Sequence, residues 1–163
     1  MAIKFDTRGN LINGIHVLNK EVIYQYFVLE FPNSSTRERL WANFSAFLER
    51  FENDITAYYE VWIDGSFATQ KLNPRDIDAV FYIDNQVVEF KKSVLDTKWF
   101  YKEQKFKIGL DLYYSIEYPK QHKRHFLSHL NHLYWQDVYG HTRKDELGKQ
   151  HTKGFISLQN FKK

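Results

Sequence analysis

Between residues 36 and 53, Leu40, Trp41, Phe44, Phe47, Leu48 and Phe51 recur at helical spacing, which predicts an amphipathic helix with one buried side. The break Phe31-Pro32-Asn33-Ser34-Ser35 precedes it, and Ser34 or Ser35 is placed to cap it. Upstream, Asn19 can cap a short helix reaching about Phe27, and residues 1–18, with Gly9 and Gly14 and few helix formers, read as an extended arm. The apolar period then changes to two. Strands are predicted over 57–63 and 76–83, joined by a turn and a polar loop containing Pro74. A third is predicted over 108–116, where Ile108, Leu110, Leu112, Tyr114 and Ile116 form an apolar face and Gly109, Asp111, Tyr113 and Ser115 the other. Residues 85–105 mix apolar residues with lysines, as one or two surface helices would. Pro119 can start a long helix to about Tyr139, with Phe126, Leu127, Leu130, Leu133, Tyr134 and Val138 facing inward and Gly140 ending it. A short last strand is expected over 154–158.

The expected fold class is therefore α/β of the α+β kind: a small mixed sheet packed on one face by helices 36–53 and 120–139. No repeat, low-complexity tract or linker interrupts the chain, so residues 1–163 are expected to form a single domain. With 43% hydrophobic and 18% aromatic residues, the chain lies outside disordered compositions, and its fourteen Phe can fill a core. The absence of cysteine excludes disulfides and thiolate metal sites. No secretory signal or bilayer-length apolar run is evident, so the expectation is a cytoplasmic protein with no membrane partner. A net charge of +3 permits contact with phosphates without demanding a nucleic acid. The basic residues Lys120, Lys123, Arg124, Arg143, Lys144, Lys149, Lys153, Lys162 and Lys163 read first as a solvated surface.

The chemistry concentrates elsewhere. The strand over 57–63 runs into Gly65-Ser66, and the next strand opens with Asp76-Ile77-Asp78. Alternate strand residues share a face, so Asp76 and Asp78 project the same way, roughly 7 Å apart at Cα. Like charges held together repel, and a cation that both ligate relieves them; oxygen-only ligands suit Mg²⁺ or Mn²⁺. Asp111 supplies a third carboxylate. A glycine at a strand end allows close approach to a phosphate chain, and a serine amide and hydroxyl can donate to it.

Gly-Ser, a spacer, Asp-x-Asp and a later strand Asp together resemble the nucleotidyltransferase superfamily that includes DNA polymerase beta. The segments Gly9-Asn10-Leu11-Ile12-Asn13-Gly14-Ile15-His16, Trp62-Ile63-Asp64-Gly65-Ser66-Phe67-Ala68-Thr69, Pro74-Arg75-Asp76-Ile77-Asp78 and Lys153-Gly154-Phe155-Ile156 look like a bacterial family of small nucleotidyltransferase-like proteins. That resemblance implies a nucleotidyltransferase fold that moves NMP from an NTP, ATP first, onto a hydroxyl of a protein, an RNA or a small molecule. It implies catalytic, metal-binding roles for Asp76, Asp78 and Asp111, with Asp111 on the acceptor side. It assigns nucleotide binding to Gly65 and Ser66. Thr69, Lys71 and Arg75, in the intervening loop, are candidates for phosphate contact. A toxin–antitoxin or defence setting follows from the same likeness.

Competing readings are weaker. An inert nucleotide- or partner-binding module of the same fold would not need three acids. A nucleic-acid platform calls for more sheet aromatics than Tyr113. His122, His125, His129 and His132 form a helical stripe that reads first as a polar edge rather than a metal site. Arg124 and His129 match the loose Arg-x4-His pattern of helical ribonucleases, but one long helix does not make their bundle. Arg143, Lys144, Lys149, His151 and Lys153 precede the last strand; if they overhang the site, they would meet an acidic acceptor such as RNA or a partner protein.

Overall fold

A computed structural model describes residues 3–161. Its centre is one five-stranded mixed sheet in the order β1-β5-β2-β3-β4. The strands are β1 (Gly14–Val17), β2 (Tyr58–Asp64), β3 (Ile77–Asp84), β4 (Leu110–Glu117) and β5 (Gly154–Phe161). β1 runs parallel to β5 and β4 parallel to β3, while β2 is antiparallel to both its neighbours. The α+β class expected from the sequence is the class observed. Part of the extended arm pairs as β1, and its preceding turn grips the loop after β2: the Gln70 amide donates to the Gly9 carbonyl at 2.7 Å.

Helix α1 (Lys20–Tyr24) starts where Asn19 accepts from the Val22 amide and continues as a wider turn through Leu29. Helix α2 (Arg37–Asp54) buries all six of the apolar residues that predict it. Its start is served by the Ser34 hydroxyl, which accepts from the amides of Thr36 and Arg37. α2 packs on Val61, Ile63, Ile77, Ala79, Phe81 and Ile83. The opposite parity of the same strands, Trp62, Val80, Tyr82 and Phe155, forms a second cluster with Tyr139.

That second cluster corrects the expectation of helices on one face only. Helix α5 (His125–Tyr139) lies on the side of the sheet away from α2 and begins five residues later than the predicted 120. It is also turned over. Phe126, Leu130, Leu133, Tyr134 and Val138, expected inward, are exposed, whereas Ser128 and Tyr139 are buried. Polar partners decide this. Ser128 accepts from the Tyr118 amide at 2.7 Å, and His132 stacks on Tyr82 with ring centroids 4.1 Å apart and bonds Glu117 at 2.6 Å. These groups meet donors and acceptors only on the sheet side.

The predicted strand 108–116 also shifts. Residues 104–108 form helix α4 (Gln104–Ile108), and Gly109 reverses the chain at φ 73° before β4 begins. A Cβ there would overlap Leu40, so α2 and β4 come together over this glycine. Helix α3 (Asn85–Val94), capped by Asp84, and a wider turn through Trp99 complete the α2 side.

Arg37 is the least expected core residue. Its guanidinium has no solvent exposure and donates to four carbonyls, those of Phe27, Phe67, Thr69 and Lys71, at 2.6–2.9 Å. It also lies over the Phe31 ring, and burial lowers its pKa to about 10. One planar fork thus ties the start of α2 to the loop after β2. Arg37→Met is expected to cost roughly 3–5 kcal/mol in chemical denaturation, because four buried carbonyls lose their donor. Arg37→Lys should recover only part of it, since an ammonium cannot reproduce the fork.

Candidate functional site

Sheet register assembles the acids. Asp64, last residue of β2, pairs with Asp78 of β3, and Asp78 pairs with Asp111 of β4. Three carboxylates therefore stand in a row across adjacent strands spaced about 4.8 Å apart. Asp76 precedes β3 by one residue and extends the row into a cluster of four. The row lies on the α5 side, so α5 covers in part the side expected to be open.

Two lysines answer these four charges. Lys105 reaches over from α4, its Nζ 2.6 Å from Asp111 Oδ2 and 3.2 Å from Asp76 Oδ2. Lys153, just before β5, pairs with Asp64, and both are buried. Burial pushes the Asp64 carboxyl above its ordinary value, with the Lys153 ammonium pulling the other way. Among the described residues no ion pair reaches Asp78. Burial, then the charges of Asp76 and Asp111, push it up to about 6.

The Gly65-Ser66 turn is built against Asp78. β2 ends in a tight helical turn, Gly65–Ala68, in which Gly65 has φ 71°. A Cβ on Gly65 would overlap the Asp78 carboxylate, so only glycine lets turn and acid touch. Thr69 spends its hydroxyl on the turn, donating to the Ser66 carbonyl at 2.8 Å. Lys71 and Arg75 are exposed, and neither forms an ion pair with the acids among the described residues.

Tyr139, at the end of α5, is buried, and its hydroxyl has no hydrogen-bond partner among the described residues. It packs with Trp62 and Val80, each two residues from an acid of the row on the same face, and burial, then the charges of Asp78 and Asp64, raise its pKa. Tyr113 flanks Asp111 and packs on Trp135 at 5.3 Å.

Lys105 and Asp64 are the site residues that sequence reasoning passes over. Lys105 is one lysine in a polar stretch, and Asp64-Gly65 reads as a turn dipeptide. Counting register outward from Asp78 finds Asp64; nothing local finds Lys105. Of residues 143–153, Lys153 enters the site, whereas Arg143, Lys144 and Lys149 are exposed. The histidines disperse among ring and backbone partners: His122 stacks on Tyr118, and His125 bonds the Tyr118 carbonyl.

No group of three or more His, Asp or Glu side chains stands ready to enclose a metal among the described residues. The donor chemistry nonetheless fits a hard divalent cation. All donors are oxygens, four carboxylates face two ammoniums, and Asp78 forms no ion pair among the described residues.

Asp78 makes stability depend on pH. With a folded pKa near 6 against an ordinary 3.8, the folded state keeps a proton that the unfolded state loses between those values. Stability from this group is full below pH ~4 and lost as pH rises through ~6, on the order of 2 kcal/mol after screening. Without metal, Asp78→Asn should therefore be more stable than wild type at pH 8 and equal to it at pH 4. Paired melting curves at the two pH values read this directly.

A family model described as a family of unknown function, DUF6932, matches residues 3–159. The chain belongs to that family. The match spans every residue of the DUF6932 site described above, from Asp64 to Lys153. No curated protein and no solved structure matches the chain. No helix among the described residues is long and apolar enough to cross a membrane.

Proposed function

We propose that this DUF6932 chain is a metal-dependent nucleotidyltransferase. The observation that carries the reading is the register of Asp78 and Asp111, beside Asp76 and against a Gly-Ser turn whose glycine abuts Asp78. Asp76 and Asp78 would hold Mg²⁺ or Mn²⁺ together with the triphosphate, and Asp111 would serve the acceptor side. The metal would supply charge stabilisation on the phosphoryl oxygens and acidify the attacking hydroxyl.

The Ser66 hydroxyl and the amides of the turn are donors for phosphate oxygens. Gly65 keeps the phosphate chain close to Asp78. Asp111 accepts the proton of the acceptor hydroxyl as its oxygen bonds to the α-phosphorus; the bond from that phosphorus to pyrophosphate breaks, and pyrophosphate leaves with the electron pair. Tyr139 offers its unpaired hydroxyl to an oxygen at the cluster. We take ATP as the first nucleotide to test and a hydroxyl of a protein, an RNA or a small molecule as acceptor. A cytoplasmic location and a toxin–antitoxin or defence setting belong to the same proposal.

One observation favours a second reading, an inert module of the same fold. Lys105 grips Asp76 and Asp111 and so neutralises two of the would-be ligands. Thermal melting separates the two readings. A nucleoside triphosphate with Mg²⁺ or Mn²⁺ should raise the melting temperature by several degrees, because a ligand bound only by the native state stabilises it. No shift with any of the four NTPs under either metal would leave the inert module.

A further inference from the structure

Lys105 reaches the cluster because of an abrupt local path. α4 has five residues, and Gly109 turns the chain back at once into β4, whose second residue is Asp111. The ammonium thereby lies between two carboxylates from different strands, at 2.6 and 3.2 Å. At 36% exposure its side chain is neither locked in the core nor loose in solvent.

A second, independent feature marks this as a place for a ligand. Tyr139 is buried against Trp62 and Val80, the same-face neighbours of Asp64 and Asp78, and its hydroxyl is unpaired among the described residues. A buried donor left without an acceptor costs about 1–3 kcal/mol, and no protein group among the described residues answers it. A phosphate oxygen or a metal-bound water would.

We propose that Lys105 is the resident cation of the acid cluster and the group that a divalent metal must displace to bind there. The inference rests on the nucleotidyltransferase reading and adds to it the residue that sets metal affinity. A divalent ion entering alone must break two short ion pairs and leave an ammonium without a partner. A triphosphate arriving with it gives that ammonium an anion to bind. Metal and nucleotide therefore help one another, and by linkage each strengthens the other by the same factor. The site stays quiet toward free metal and opens to the metal–nucleotide pair.

Mn²⁺ binding, followed by electron paramagnetic resonance on the full chain, tests this. The proteins are wild type, Lys105→Met, Lys105→Gln and Lys105→Arg, each alone and with α,β-methylene-ATP, whose α–β bridge blocks transfer. Lys105→Met and Lys105→Gln should each bind Mn²⁺ alone at least tenfold more tightly than wild type. Lys105→Arg, which keeps the charge, should stay weak. The nucleotide analogue should tighten Mn²⁺ at least tenfold in wild type and distinctly less in the neutral variants. Melting curves supply a second readout, with Mn²⁺ raising the melting temperature of the neutral variants more than that of wild type. If wild type binds Mn²⁺ and neither neutral variant binds it more tightly, Lys105 is a structural bridge and the proposal is overturned. If no protein binds Mn²⁺ with or without the analogue, the metal-dependent reading itself falls.

Discussion

Asp76→Asn, Asp78→Asn and Asp111→Asn are each expected to lower nucleotidyl transfer by roughly a thousandfold or more, since each removes a hard anionic group from the reacting centre. The three should differ in binding. Asp76→Asn and Asp78→Asn should abolish metal-dependent triphosphate binding: Asp78 abuts the turn that would hold the phosphates, and Asp76 is the second carboxylate that would hold the metal beside it. Asp111→Asn should retain much of it, because Asp111 lies one strand further from Gly65. Calorimetric titration with α,β-methylene-ATP and Mg²⁺ reads the difference. Equal loss of affinity in all three variants would refute the division of roles. Asp78→Asn should not harm folding, since it only relieves repulsion, whereas Asp76→Asn and Asp111→Asn each also give up a contact with Lys105 and should change stability little.

Gly65→Ala is expected to be nearly as damaging by a different route. The added methyl would overlap the Asp78 carboxylate, and φ 71° already disfavours a side chain. A loss of roughly 2–4 kcal/mol in stability should accompany loss of metal-dependent nucleotide binding. The cause can be isolated. In an Asp78→Ala background the overlap disappears, so Gly65→Ala should cost only the backbone term, about 1 kcal/mol. Urea denaturation of the four members of this cycle gives the coupling; strict additivity would mean that turn and acid do not touch.

The parts of this site legible in the sequence are those confined to one hairpin. Gly65-Ser66 follows one strand and Asp76-Ile77-Asp78 opens the next, and the apolar alternation of 108–116 puts Asp111 on that strand's polar face; its register opposite Asp78 appears only in the sheet. α2 was legible for a similar reason, since Leu40, Phe44, Phe47 and Phe51 repeat without ambiguity and are all buried. α5 misleads because its most apolar stripe is not its buried one. Ser128, His132 and Trp135 carry polar tips, and only the positions of Tyr118, Glu117 and Tyr82 in space make them the inner face. β1 is four residues long and starts with a glycine, too short for any period to register. Arg37 looks like an ordinary helix-surface cation until the loop after β2 folds over it. Lys105 and Thr69 show the same limit at the site. Which cation meets the acids, and which hydroxyl is consumed by its own loop, depends on chain reversals at Gly109 and Gly65.

The central claim is transfer of a nucleoside monophosphate. Its most direct test incubates the full chain with Mg²⁺ or Mn²⁺ and each NTP labelled in turn at the α- or the γ-phosphate, in the presence of cellular RNA, protein and small-molecule extract. The expected result is α-label on an acceptor from one of these pools, γ-label released as pyrophosphate, and neither with Asp76→Asn. Absence of α-label with all four nucleotides under both metals, or transfer of the γ-label instead, would contradict it.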